Sequence, residues 1–202
     1  MTSKLALHDI VDLRAYERER PELQQRVLAL KRRRRIAVGP IVTLLFENRD
    51  TIRFQIQEMA RAEKMLHDEQ ILEELEVYNP LIPDAGELSA TMFIELTSKD
   101  ELEEWLPKLV GVERAVELRL GDVVVTAEPE AAHDEQLTRE DVTASVHYIR
   151  FQLSPEQVER FASGSVQLAI NHPAYQKAVD LTDETRAELL SDLRGEPASA
   201  AG

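Results

Sequence analysis

Residues 35–66 read RIAVGPIVTLLFENRDTIRFQIQEMARAEKML, and the architecture of the chain turns on how this stretch divides. Ile36 to Phe46 is dense in β-branched and apolar residues and is interrupted by Gly39-Pro40. That pattern predicts an extended segment with a bulge or break at the Gly-Pro step; a single helix from Pro40 to Leu66 is the competing assignment. Glu47-Asn48-Arg49-Asp50 forms the junction, where Asn48 or Asp50 can accept a bond from a free amide of the following helix. From Thr51 the period changes. Ile52, Ile56, Met59, Glu63 and Leu66 recur at spacings of four and three, one face of a helix, with Arg53, Gln57, Arg61 and Lys64 opposite. Glu58 lies between the two faces, within reach of Arg61 or Ala62. The stretch is thus a strand, a turn and a helix.

On the N-terminal side, residues 1–6 are expected to be loose and Leu7–Leu13 to form a short helix. Pro21 suits a helix start, and Glu22–Arg34 carries an inward row at Leu23, Val27 and Leu30. The run Lys31-Arg32-Arg33-Arg34-Arg35 has three uses: a nucleic-acid or acidic-partner patch, a solvated helix end favoured by the macrodipole, or arginines that pair with acidic clusters of this chain or a second copy. The acidic whole favours the solvated end.

On the C-terminal side, His67-Asp68-Glu69 breaks the helix. Gln70–Val77 forms another, with Ile71, Leu72 and Leu75 inward, and Tyr78–Gly86 is a structured loop. Ser89–Leu96 alternates as a strand, with Ala90, Met92, Ile94 and Leu96 on a core face and Ser89, Thr91, Phe93 and Glu95 on a mixed polar face. Asp100–Leu109 is an amphipathic helix holding Trp105. Val112–Leu120 and Val123–Ala127 pair about Gly121-Asp122 as a hairpin. Glu128–Glu140 is an acidic mobile loop, and Val142–Leu153 is the longest strand. A short helix opened by Ser154-Pro155-Glu156 runs to Ala162, followed by a strand at Ser165–Ile170, a turn at Asn171–Tyr175 and a last helix at Thr182–Leu193. A disordered tail follows from 195. The fold class is α+β, one domain over residues 7–194: N-terminal helices packed on an antiparallel sheet of about five or six strands. The other side of that sheet then needs a partner or a polar solvated face.

The segments FENRDTIRFQIQEMARAEKM (46–65), YNPLIP (78–83) and GELSATMFIEL (86–96) closely resemble an uncharacterised bacterial family, domain-of-unknown-function 3501. The resemblance runs from Leu7 to Leu193 and brings no established activity. Genes of that family often stand beside rubrerythrin and iron–sulfur, heterodisulfide-reductase-like genes. The resemblance therefore implies a role in iron or peroxide physiology, beside a rubrerythrin-like or iron–sulfur oxidoreductase partner.

Composition excludes several classes. A net charge of −14 argues against a general nucleic-acid binder, since phosphate is repelled. The absence of cysteine removes disulfides, thiolate metal sites, cysteine-ligated clusters and cysteine nucleophiles. No run of eighteen apolar residues and no signal-peptide core is present, so no membrane association is expected and the cytoplasm is the default location. GxGxxG, GxxxxGK[ST] and GxSxG motifs are missing, which disfavours nucleotide-loop and α/β-hydrolase chemistry.

The candidate site residues are Arg49, Arg53, Glu58, Arg61, Glu63, Asn79, Glu95, His147 and His172. The arginines, with Glu47, Glu58 and Glu63, form a charged network around the central helix, suited to anion recognition or to ion pairs that tie the helix down. His147 shares a strand face with Ser145, Ile149 and Phe151, while Tyr148 and Arg150 point the other way. No metal site is assigned; Glu63, His67, His147 and His172 are the weak candidates, the first two being four apart on a helix. Two functions compete. A non-catalytic cytosolic accessory protein linked to iron and redox handling is favoured. A small-molecule or metal-dependent enzyme requires the candidate residues to converge in one pocket. A homodimer through an open sheet face or edge is compatible with either, and no cofactor is specified.

Overall fold

The computed structural model describes residues 4–130 and 142–196. The segment 35–47 is a hairpin, β1 (Arg35–Val38) against β2 (Val42–Glu47), and Gly39 takes a φ of +79° in its turn. The Gly-Pro step is therefore a chain reversal, and the single-helix assignment falls. Asn48 ends the strand and opens α2 (Arg49–Glu63), its side-chain oxygen accepting from the amides of Asp50 and Thr51 at 3.1 and 3.0 Å. Lys64 leaves the helix in the left-handed region, φ 54° and ψ 46°, so α2 stops before Leu66, which is 77% exposed.

Before this unit runs α1 (Leu13–Arg34), twenty-two residues capped by Asp12 and continuous through Pro21. The expected start at Pro21 is thus corrected. Pro21 stands on the exposed face and removes one N–H from a helix already propagating from its cap. After it come α3 (Asp68–Tyr78), β3 (Glu87–Ile94) and α4 (Lys99–Trp105). The rest comprises β4 (Val116–Leu120), β5 (Val123–Thr126), β6 (Glu128–Pro129), β7 (Val146–Gln152), α5 (Pro155–Ser163), β8 (Val166–His172), β9 (Tyr175–Asp180) and α6 (Asp183–Leu193). The expected longest strand begins only at Val146, and β3 exceeds it by one residue. Residues 131–140 of the expected acidic loop lie outside the described residues, as do 1–3 and 197–202. Leu5, in the stretch expected to be loose, is buried, and its amide donates to Asn79 at 2.8 Å.

The strands form two antiparallel sheets, β1-β2-β3-β7-β6 and β5-β4-β8-β9. The α+β class holds, but the strands are divided between two sheets rather than gathered in one. The sheets face each other. Val42, Leu44 and Phe46 of β2, Met92 of β3 and Phe151 of β7 meet Leu118 of β4 and Leu168 of β8 in one apolar cluster. The face of the first sheet expected to need a partner or solvent is therefore covered by the second sheet. The opposite face carries Thr43, Leu45 and Glu47 of β2, Thr91 and Phe93 of β3, and Tyr148 of β7, in register. The helices lie over it: Ile52 and Ile56 of α2 cluster with Leu75 of α3, Leu81, Ile82 and the ring of Tyr148.

Candidate functional site

The helix layer does not close completely onto the sheet. A cavity of about 250 Å³ remains, floored by Leu45, Glu47, Thr91, Phe93 and Tyr148 and roofed by Thr51, Gln55 and Tyr78. Two local features create it. Thr91 and Thr51 are short where the sheet and α2 approach, and α2 starts immediately beyond Glu47 because Asn48 caps it. The cap fixes Thr51 one turn above the carboxylate.

Glu47 is the chemical centre of this space. It is 7% exposed. One carboxylate oxygen accepts from the Thr91 hydroxyl at 2.7 Å and the other from the Thr51 hydroxyl at 2.5 Å. No Lys, Arg or His nitrogen lies within 4.0 Å of the carboxylate among the described residues. Arg34, a fully buried cation, turns its guanidinium to the main-chain carbonyls of Phe46 and Glu47, each 3.4 Å away, and to Asp192. Lys31 borders the cavity, with its ammonium 5.6 Å from the Phe54 ring centroid. A carboxylate removed from water and held by neutral hydroxyls alone is an uncommon and costly arrangement.

The two tyrosines line the same space. Burial pushes the Tyr148 phenol up, and the neighbouring Tyr78 and Glu47 add to this. Burial also pushes Tyr78 up, reinforced by Glu74 and Glu63 and opposed by the Gln55 hydrogen bond. Both phenols therefore stay protonated at neutral pH and are able to donate a hydrogen bond. Glu74, just outside, is itself pushed up by burial and then by Glu63 and Glu73.

The residues singled out from sequence do not gather here. Arg49 pairs with Asp9 at 2.6 Å, Arg53 with Glu19 at 3.1 Å, and Arg61 with Glu17 at 2.5 Å. Glu58 accepts both the Tyr16 hydroxyl, at 2.6 Å, and a two-pronged Arg20, at 2.8 and 2.9 Å. All four tie α2 to α1 or to the turn before it, the ion-pair alternative for this network. Asn79 bridges the amide and carbonyl of Leu5 at 2.8 and 2.9 Å. Glu95 accepts from Thr43 at 2.6 Å and pairs with Arg35. His147 lies on the inner face of β7, its Nε2 2.8 Å from the Thr143 hydroxyl and 2.9 Å from the Ala144 carbonyl. His172 belongs to the second sheet; its Nδ1 accepts from the Ala174 amide, leaving Nε2–H to donate to the Val110 carbonyl at 3.1 Å. Glu63 is the exception in part, since it borders Tyr78 electrostatically. The helical Glu63–His67 spacing is lost because Lys64 ends the helix between them. Among the described residues no three His, Asp or Glu side chains are grouped to hold a metal ion.

Sequence reasoning placed Glu47 in the charged network but not in the pocket, and missed Thr51, Thr91, Tyr78 and Tyr148 as partners. The available signal was the mixed face of β3. Thr91 alternates with apolar neighbours there, and antiparallel register sets it opposite Leu45 and Tyr148.

The protein is similar to a crystal structure titled as a novel protein of unknown function from Burkholderia pseudomallei K96243. The two share 34% identity over 94% of this chain and 99% of that one, with a TM-score of 0.86. No curated protein gives a significant match. The family model described as "Protein of unknown function (DUF3501)" matches residues 4–193, which contains the whole Leu7–Leu193 span of the resemblance seen in the sequence. The chain belongs to that family.

Proposed function

We propose that this protein is a non-catalytic accessory protein that binds a small organic molecule between its first sheet and its helical layer. The observation that carries the reading is the cavity around Glu47, a buried carboxylate held by two hydroxyls with aromatic and apolar walls. That composition, mostly apolar with a few convergent polar groups, is what small-molecule sites share. At about 250 Å³ the space suits a small ligand. Binding rather than turnover is favoured by the lining, which holds no histidine or serine and two tyrosines kept as donors. The competing enzyme reading depended on Glu58, Arg61, Glu63, Asn79, Glu95, His147 and His172 converging in one cavity, and Glu58, Arg61, Asn79, Glu95, His147 and His172 are engaged in separate places.

A fragment library screened by ligand-observed NMR tests the binding reading, with Val146→Phe as the filled-cavity control. Val146 borders the cavity from β7, where phenylalanine is well accommodated in a strand. The expected result is a set of small fragments that bind the native protein, lose binding in the variant, and are recovered chemically unchanged. Fragments insensitive to Val146→Phe overturn the site, and conversion of a fragment overturns the non-catalytic reading. The redox link rests on the family resemblance alone. Copurification of a rubrerythrin-like or iron–sulfur oxidoreductase protein with the tagged chain from its own host supports it; recovery of the chain alone, or only as a homodimer on a sizing column, removes it.

A further inference from the structure

We infer that the cavity takes a small organic cation, an amine whose ammonium group sits against Glu47 among the rings of Tyr78, Tyr148 and Phe93. The inference rests on the ligand-binding reading above and adds the class of ligand.

Charge balance points this way. The Glu47 carboxylate is buried with no counter-ion within 4.0 Å among the described residues. Each of its oxygens accepts one hydroxyl, and a carboxylate oxygen has capacity for a further donor. An ammonium group supplies both the missing charge and the missing donors, in a charge-assisted bond stronger than a neutral one. An anionic ligand would instead meet a like charge in a poorly solvated space, and a neutral one would leave the carboxylate uncompensated.

The walls agree independently. Three of the residues that line the cavity are aromatic, Tyr78, Phe93 and Tyr148, and aromatic faces attract ammonium groups through the ring quadrupole. Phe93 already meets one cation in this way, the Arg35 guanidinium 5.3 Å from its centroid. The surroundings of Tyr78 are also acidic. Glu63 and Glu74 both act on Tyr78, and neither forms an ion pair among the described residues. Among the described residues, Lys31 is the one basic side chain in the lining. Its ammonium is over Phe54, which leaves the carboxylate end of the cavity to a ligand.

Size sets the remaining limit. A volume of about 250 Å³ corresponds to roughly eight water molecules at ~30 Å³ each. That admits an alkylamine or a single-ring arylamine and rejects a nucleotide or a polyamine bound along its whole length.

The test uses matched probes on the full chain: benzylamine, benzyl alcohol and benzoate, with butylamine and tetramethylammonium as ring-free cations, each followed by isothermal titration and by backbone NMR shifts. The expected result is that the amines bind with shifts at Glu47, Thr91 and Tyr148. Benzyl alcohol and benzoate should bind roughly tenfold or more weakly. Glu47→Gln, which keeps the shape and removes the charge, should weaken benzylamine by a similar factor. Should Glu47→Gln fail to fold, Gln55→Lys adds a competing ammonium from α2, a helix that accepts lysine readily, and should abolish amine binding. If benzyl alcohol or benzoate binds in the cavity as well as the amines, the cation inference falls and the ligand-binding reading stands. If none of the five probes shifts the cavity resonances, the cation inference falls; if the fragment library also fails there, the binding reading falls with it.

Discussion

Arg34 ties the end of α1 to α6 and to the last carbonyls of β2. It is fully buried, with its guanidinium bidentate on Asp192 at 2.7 and 2.8 Å, on Glu188 at 3.1 Å, and near the carbonyls that end β2. Arg34→Met leaves Asp192 without its cation, while Glu188 keeps Arg33 at 3.1 Å, and should cost about 3–5 kcal/mol in urea denaturation. Adding Asp192→Leu should recover part of that loss, because an apolar pair replaces an orphaned charge. Five consecutive basic residues hid this role. Their chemistry is nearly uniform, and the acidic partner is 158 positions away, so nothing local distinguishes Arg34 from Arg33, which also pairs with Glu188, or from Arg35, which pairs with Glu95. Glu58 carries a second, pH-dependent contribution. The hydrogen bonds of Arg20 hold its carboxyl below the ordinary glutamate value, against burial, with help from the Tyr16 hydroxyl. A depressed folded value means stability that is present at neutral pH and lost as the pH falls through the ordinary glutamate value toward the lower folded one. Glu58→Gln should therefore reduce stability at neutral pH, with the difference from the native protein shrinking in acid. An equal deficit at all pH values would show that packing, not charge, is what Glu58 supplies.

The helix α2 was legible at its start and not at its end. Asn48, a strong cap, stands at the boundary between an apolar run and a helical period, and the structure uses it there. Nothing comparable marks the other end, where Lys64 rather than glycine takes the left-handed position, so the apolar period extended too far, to Leu66. A lysine there carries the Cβ penalty of that region. Lys64→Gly should accordingly raise stability by about 0.5–1 kcal/mol, less than the full penalty because glycine also loosens the unfolded chain. A fall in the urea midpoint would mean that Lys64 has a contact the backbone argument omits. The strand β9 was missed for a related reason. Its burial runs from Tyr175 into four outward or half-outward residues, Gln176 to Val179, so an edge strand with one anchored end has almost no alternating signal.

The class and the mixed polar face of β3 could be taken from the sequence, but not the division of the strands into two sheets. Alternation reports that a strand has a buried face, and it does not say which other strand buries it. Here the two sheets are joined at the turn of the first hairpin. The Tyr175 hydroxyl, at the start of β9, donates to the Val38 carbonyl at 2.7 Å, and the Ile41 amide approaches the same hydroxyl oxygen at 3.4 Å. Gly39 sits between those two residues with a positive φ, and a Cβ there would collide with the Tyr175 hydroxyl and with the Lys177 side chain. Gly39→Ala therefore has two separable costs: the left-handed backbone, about 1–2 kcal/mol, and the collision. Tyr175→Phe alone loses one hydrogen bond to a buried carbonyl, about 1–3 kcal/mol, and removes the atom that the added methyl group would strike. If the latch is as described, Gly39→Ala should cost less in the Tyr175→Phe background than in the native protein, leaving the backbone penalty and the Lys177 contact. A double-mutant cycle by chemical denaturation measures the difference. A coupling near zero would mean that the hairpin turn and β9 do not meet in solution, and that the sheets are held by the apolar cluster alone.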